Sequence, residues 1–319
     1  MVDAPDQHLA DAVGRLLSHA VGDGRLGVAF SGGVDSSVLL ALAARTLGPS
    51  RVVALLGVSS SLAADERLAA HEVARAVGVP VVEVTTAEGD DPAYRANGPD
   101  RCYFCKNELF TRISAEVVAA QGLAAVAYGE NADDARRPDR PGAQAAREHG
   151  VLTPLADAGL DKAAVRRVAR ALRLPSADKP AAPCLASRIP HFEEVTPHKL
   201  AQVDAAEAAL RRLGLADLRV RHHGEVARVE VSVDDVAAVA ADPLRQAVVD
   251  AVRAAGFRYV ALDLAGIQSG SFTLTQLQVR ASRARTCPAM TSTCSTVLAS
   301  QSTASAKPRR RARSWSSRT

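Results

Sequence analysis

With 319 residues, 47% of them hydrophobic and only 3% aromatic, the chain can build one large domain or two modest ones with cores of Ala, Val and Leu, as alternating strands and helices do. The net charge of +4 is unevenly spread: no acidic residue follows Asp263 but Lys307 and eight arginines do, and removing those nine charges leaves −5 on residues 1–263. An acidic body argues against a general nucleic-acid binder, and the lack of any apolar run near ~18 residues argues against a membrane span.

In chain order, apolar runs predict strands at 26–30 (LGVAF), 52–58 (VVALLGV), 79–84 (VPVVEV) and 123–128 (LAAVAY), with helical patterns near 35–47, 62–77 and 107–121. That alternation predicts an α/β fold with a doubly wound parallel sheet, on which ligands sit at the strand carboxyl ends. A segment with Pro138, Pro141 and Gly142 leads to VLTPLAD, a helix at 161–172 and the irregular stretch PSADKPAAPCLASRIP. From Thr196 the order becomes helix 196–213, strands 217–222 and 226–233, helix 243–255 and strand 257–263, which predicts a second, smaller α/β domain. Residues 273–319 are rich in Ser and Thr, carry Cys287, Cys294 and a PRRRAR run, and lack the apolar content to fold. The expected boundaries are therefore 1–178, a cysteine-bearing connecting loop 179–195, a domain 196–271, and a disordered or frame-shifted tail 272–319.

AFSGGVDSS (29–37) falls where the first strand gives way to a helix. Gly32 and Gly33 let the backbone approach a ligand without a Cβ in the way. Backbone N–H groups, the positive helix end and the hydroxyls of Ser31, Ser36 and Ser37 suit a phosphate or pyrophosphate, with Asp35 as metal anchor or helix cap. The stretch has neither the Lys of a Walker A loop nor the third glycine of a dinucleotide fingerprint. Farther on, LRVRHH places Arg219 and Arg221 on one face of a strand, as paired guanidiniums for a phosphate or as solvated surface charge.

Asp3, Asp6 and Asp11 stand where a secretory signal would carry basic residues, so a cytoplasmic location is expected. Thiols stay reduced there, and the Cys102-x-x-Cys105 pair in RCYFCK is then a candidate for metal, cluster or redox chemistry. A structural zinc site would need four protein ligands, and no fourth stands at a useful spacing.

SGGVDSS resembles the signature of the N-type ATP pyrophosphatases, the PP-loop family. With RCYFCKNELF (101–110), YGENADD (128–134) and KPAAPCLASRIP (179–190), in that order and spacing, residues 10–271 resemble the LarE family of sulfur transferases. The resemblance implies that ATP, with Mg2+, adenylates the carboxylates of pyridinium-3,5-biscarboxylic acid mononucleotide, which then become thiocarboxylates for the nickel-pincer cofactor. It implies nucleotide and metal roles for Ser31, Gly32, Gly33, Asp35, Ser36, Ser37, Glu130, Asp133 and Asp134. Substrate roles fall to Ser187, Arg188, Arg219, Arg221, Glu207 and Glu230, and catalytic ones to Asp35 and Cys184. By the same likeness the protein is a homo-hexamer.

The family takes sulfur either from a sacrificial cysteine at the position of Cys184 or from sulfide on a [4Fe-4S] cluster, which Cys102 and Cys105 would hold together with Cys184. Three thiolates leave one iron open for exogenous sulfide. A tRNA thiolase uses the same loop and is disfavoured by the acidic body. The family pattern Gly-Tyr-Arg reads Gly266, Ile267, Gln268 here, before Ser269-Gly270-Ser271, and the missing arginine leaves an inactive nucleotide-binding scaffold as the remaining alternative.

Overall fold

A computed structural model describes residues 4–137, 140–180 and 182–267; Gln268, the Ser-Gly-Ser that follows and the tail from 272 lie outside the described residues. Four parallel strands, β1 (Arg25–Ala29), β2 (Val52–Val58), β3 (Val81–Thr85) and β4 (Leu123–Tyr128), form a sheet in the order β3-β2-β1-β4. Alternate residues of β2 face opposite sides: Val52, Ala54 and Leu56 pack with the helices Ala4–Val21, Val34–Leu47 and Lys162–Ala171, whereas Val53 and Leu55 pack with Phe110, Ile113 and Val117. Both faces are thus covered, which is why these strands read as continuous apolar runs.

The second sheet, in the order β5-β6-β7, pairs β5 (Leu218–His223) antiparallel with β6 (Val226–Val231), which pairs parallel with β7 (Tyr259–Leu262). Leu218, Val220, Val229 and Val231 bury one face with Val203 and Leu210 of the helix Pro197–Arg212 and Val248 and Val252 of the helix Leu244–Ala254. The opposite face carries Arg219 and Arg221 across from Glu230 and Arg228. The described residues of both sheets belong to one compact unit.

Three departures from the predicted elements bear on how the site is built. The helix Ala4–Val21 was not expected, although Leu9, Val13, Leu17 and Val21 recur at a four-residue spacing; Val13 and Leu17 are fully buried. The helix predicted from 107 begins at Arg101, where Tyr103 N–H donates to Asp100 O at 2.7 Å, so the cysteine pair occupies its first turns. The segment with Pro138, Pro141 and Gly142, for which no element was predicted, contains the helix Pro141–Glu148, and there Gly142 admits the cysteine helix closely: a Cβ would stand 2.9 Å from Lys106 Cδ.

The first helix is tied to Lys162–Ala171 by Asp6, whose carboxylate accepts from Arg167 Nε at 2.7 Å and Nη2 at 2.8 Å. Those bonds hold the buried Asp6 carboxyl below its ordinary pKa. A depressed folded-state pKa adds stability above the unfolded value, and that stability is lost as pH falls through the folded one. Asp6→Asn is expected to cost about 1–2 kcal/mol at pH 7, since Arg167 is half exposed. In urea titrations the gap between variant and wild type should close in strong acid; a gap that persists there would assign the cost to packing.

Candidate active site

At the carboxyl end of β1 the chain turns through Ser31-Gly32-Gly33 into the helix Val34–Leu47. Gly32 has φ +70 and a Cβ there would lie 2.9 Å from Ala70 Cα, so the turn demands glycine twice over. Gly33 has an ordinary φ of −75 and its missing Cβ would meet only Ser31 Oγ at 3.4 Å, which leaves its outer side open to a ligand. Ser36 Oγ donates to Gly33 O at 3.0 Å and lies 3.3 Å from Ser31 Oγ. Ser37 is fully buried and its hydroxyl is spent on Gly33 O at 2.8 Å, so the structure does not bring it to the surface of the loop.

Asp35 stands at the mouth of this loop. Its Oδ2 lies 2.5 Å from Lys162 Nζ and its Oδ1 accepts from Asn131 Nδ2 at 3.1 Å. Asn131 follows Gly129 and Glu130 after β4, and Gly129 lets this crossing press on the helix start, where a Cβ would lie 2.6 Å from Ser36 N. Asp133 accepts from the Lys162 backbone N–H at 2.9 Å, and Asp134 is paired with Arg140 and accepts from Asn131 Nδ2 at 3.0 Å. Asp35 and Asp133 are thus joined through Lys162, which the sequence reading missed, while Glu130 is buried beside them in the chain after β4. The signal for Lys162 is its place at the start of a helix capped by Asp161.

Lys106, also missed, lies on the cysteine helix with its ammonium 4.0 Å from the centre of the Tyr128 ring. Burial and the neighbouring Arg140 lower its pKa to about 8, against the pull of Glu130, Cys102 and Cys105.

Cys102 and Cys184 are exposed and Cys105 is half-buried, all as free thiols. Cys102 and Cys105, three residues apart on one helix, share a face. Cys184 precedes the 3-10 turn Leu185–Arg188, and Arg101 donates to Ala186 O in that turn at 2.9 Å, drawing turn and helix together. Arg101 is buried; burial alone would lower its pKa, but the thiols of Cys184 and Cys102 carry it upward. Burial first, then Glu88 and the other two cysteines, pushes the Cys105 thiol up. Asn97, fully buried with φ +55, donates from Nδ2 to the carbonyls of Ile189, Pro190 and Glu193 and accepts from Arg101.

The arginines expected to meet a phosphate are buried, not solvated surface charge. Arg188 pairs with Glu207 at 2.8 and 3.3 Å, and Glu207 also accepts from Val220 N at 3.0 Å and Arg211 at 2.9 Å. Arg221 is bidentate to Glu230 at 3.0 Å on both oxygens and donates to Ser187 O at 2.9 Å, bringing the cysteine loop onto the face of the second sheet. Arg219 lies across from Glu230; burial, with Arg221 and Arg188 nearby, pulls its pKa down. His222, on the same strand, is buried against Phe257. Among the described residues no three His, Cys, Asp or Glu side chains are grouped to hold a metal ion, and no helix is long and apolar enough to cross a membrane.

A family model described as asparagine synthase matches residues 5–135, the stretch that holds the first sheet and the Asp35 edge. An uncharacterized protein of Synechocystis is 42% identical over 243 residues, 76% of this chain and 90% of the relative. The pyridinium-3,5-bisthiocarboxylic acid mononucleotide synthase of Lactiplantibacillus plantarum is 35% identical over 260 residues, 80% of this chain and 92% of that enzyme. An uncharacterized protein of Methanocaldococcus jannaschii is 27% identical over 168 residues, 53% of this chain and 64% of the relative. The parallel sheet, the loop at the end of β1 and a likeness of this extent agree, and the chain belongs to the LarE family of ATP-using sulfur transferases, built on the PP-loop pyrophosphatase fold.

Proposed function

We propose that the protein adenylates the carboxylates of pyridinium-3,5-biscarboxylic acid mononucleotide and converts them to thiocarboxylates. In the first step a carboxylate oxygen attacks the α-phosphorus of ATP and pyrophosphate leaves. A sulfur nucleophile then attacks the acyl carbon, and AMP departs with the bridging oxygen. A carboxylate alone has only oxide to expel, so the first step makes the second possible. The open backbone at Gly32-Gly33 and the exposed Ser31 hydroxyl would orient the phosphates, with Ser36, buried and bonded to Gly33 O, bracing the turn. Asp35 and Asp133 would hold Mg2+, which neutralises charge on the departing pyrophosphate, in place of Lys162.

The observation that carries the substrate reading is the buried guanidinium group around Ser187. Arg188, Arg219 and Arg221 are three buried cations gathered on one face of the second sheet and the turn beside it, and a bound phosphate dianion would complement their charge. The test is pyrophosphate release with the mononucleotide, with tRNA, or with neither; stimulation by tRNA alone would replace this reading with a tRNA thiolase. Arg219→Ala should weaken mononucleotide binding by roughly tenfold to a hundredfold, the worth of a charge-assisted contact of about 1.5–3 kcal/mol. Unchanged affinity would move the phosphate elsewhere. Arg221→Ala is the less clean variant, because it takes the bidentate partner from buried Glu230, which keeps its ion pair with Arg228.

In the same reading Cys102, Cys105 and Cys184 hold a [4Fe-4S] cluster. Three soft donors fit such a group in kind, two on one helix face and the third on a turn fastened to that helix by Arg101. Assembly would bring the three thiols closer than they stand, since they are not grouped as a metal site. When bound, the cluster supplies the transferable sulfur. The chain's own part is to fix the thiols beside the guanidinium group, through Arg101, Asn97 and Arg221. The exposure of Cys184 also favours a second reading, in which it gives up its own sulfur.

A further inference from the structure

Ser59 and Ser61, just beyond the carboxyl end of β2, meet a buried side chain that the proposed reaction does not use. Glu88, 3% exposed, accepts at Oε1 from Ser59 Oγ at 2.5 Å and from Ser61 Oγ at 3.3 Å. Ser61 Oγ also lies 2.5 Å from the hydroxyl of buried Tyr94, and Ser61 N–H donates to Ser59 Oγ at 3.2 Å. The carbonyl of Ser61 in turn accepts from Leu185 N at 3.0 Å. Leu185 is the residue after Cys184 and the first of the 3-10 turn, so this bond sets where the turn begins. Tyr94, Leu185, Ala186 and Ile189 share one core cluster, against which Cys105 also packs.

From this geometry we propose that Glu88 is a positioning residue for sulfur transfer, which through Ser59, Ser61 and Tyr94 holds the Cys184 turn against the cysteine helix. The proposal rests on the sulfur-transfer reading above for its consequence, but not for its structural content. A buried carboxyl is costly to place, and burial without full pairing is tolerated where the group has a task; Glu88 Oε2 is buried with no hydrogen-bond partner among the described residues. Truncating the side chain leaves both serine hydroxyls without their acceptor, frees the Ser59–Ser61 segment, and with it the one backbone bond that joins this segment to Leu185. The part of the molecule that responds is the cluster covering Cys105, while the loop at the end of β1 makes none of these contacts.

Glu88→Ala, Glu88→Gln and Tyr94→Phe, made in the full chain, separate positioning from general stability. The first measurement is the alkylation rate of Cys105 in metal-free protein, located by mass spectrometry; the others are pyrophosphate release and kcat and KM for sulfur transfer. Glu88→Ala should speed Cys105 alkylation at least about tenfold, as local opening of the covering turn would. It should lower kcat for sulfur transfer by a similar factor at unchanged KM, with pyrophosphate release within about twofold of wild type. Glu88→Gln should restore both, because an amide oxygen still accepts from the two serines. Tyr94→Phe, which removes one hydroxyl and little volume, should give the same change on a smaller scale, and it decides the matter if Glu88→Ala does not fold. Unaltered Cys105 alkylation in Glu88→Ala and Tyr94→Phe would overturn the proposal, as would a parallel fall of every activity with melting temperature. A wild-type protein that releases pyrophosphate yet transfers no sulfur would sink the functional reading, and the alkylation rates would still decide this one.

Discussion

Asp35→Ala should lower mononucleotide-dependent pyrophosphate release by roughly a hundredfold to a thousandfold, the scale of losing one charge-organising group at a reacting phosphate. Stability should hardly change. The side chain is 20% exposed and its ion pair is with Lys162, which is 41% exposed, an arrangement worth about 0–1 kcal/mol. The two effects diverge because Asp35 sits outside the apolar packing of its helix, where Val38, Leu39 and Leu40 are fully buried. Release at the wild-type rate would remove Asp35 from the reaction. A melting temperature far below wild type would show that Lys162 and Asn131 depend on Asp35 for the local fold.

The other large effect concerns the thiols. After anaerobic reconstitution with iron and sulfide, Cys102→Ala and Cys105→Ala should each lower repeated sulfur transfer by at least about a hundredfold, or about 2.7 kcal/mol in barrier terms, because either change removes one of only three protein donors. Iron content and the visible absorption of the cluster should fall with it. If Cys184 gives up its own sulfur instead, both variants keep a single round of transfer, and mass spectrometry finds Cys184 lighter by one hydrogen sulfide in step with product. That outcome would reduce the RCYFCK pair to a structural role.

β2 and β4 occupy the residues where apolar runs placed them, and the turn at Gly32 allows the close backbone approach that SGG suggested, with a positive φ besides. These features are local, set by side-chain period and by one backbone angle, so a sequence carries them directly. Lys162 and Arg101 were not legible. Lys162 meets Asp35 across 127 positions and Arg101 meets Ala186 across 85, and nothing within either short neighbourhood records those partners. Arg188 and Arg221 were legible as residues but not as environments. Charge alone favoured solvent, whereas Glu207 and Glu230, delivered by a helix and a neighbouring strand, let both be buried. The start of the cysteine helix at Arg101 was not legible because Asp100 caps it without a side-chain hydrogen bond, so no capping signal marks that end.

Asn97 narrows what the neighbourhood of the thiols can become. Its backbone lies in the left-handed region, which admits Gly, Asn and Asp with least strain, and its side chain must both donate to carbonyls and accept from Arg101. Glycine keeps the angle and leaves Ile189, Pro190 and Glu193 without their donor. Aspartate keeps the acceptor and sets a carboxylate against those same oxygens, while glutamine and serine keep polarity and lose the angle. The position is therefore a mutational bottleneck: one amide reconciles two demands that no other side chain meets together, and drift in the surrounding loop is free only so long as that amide stays.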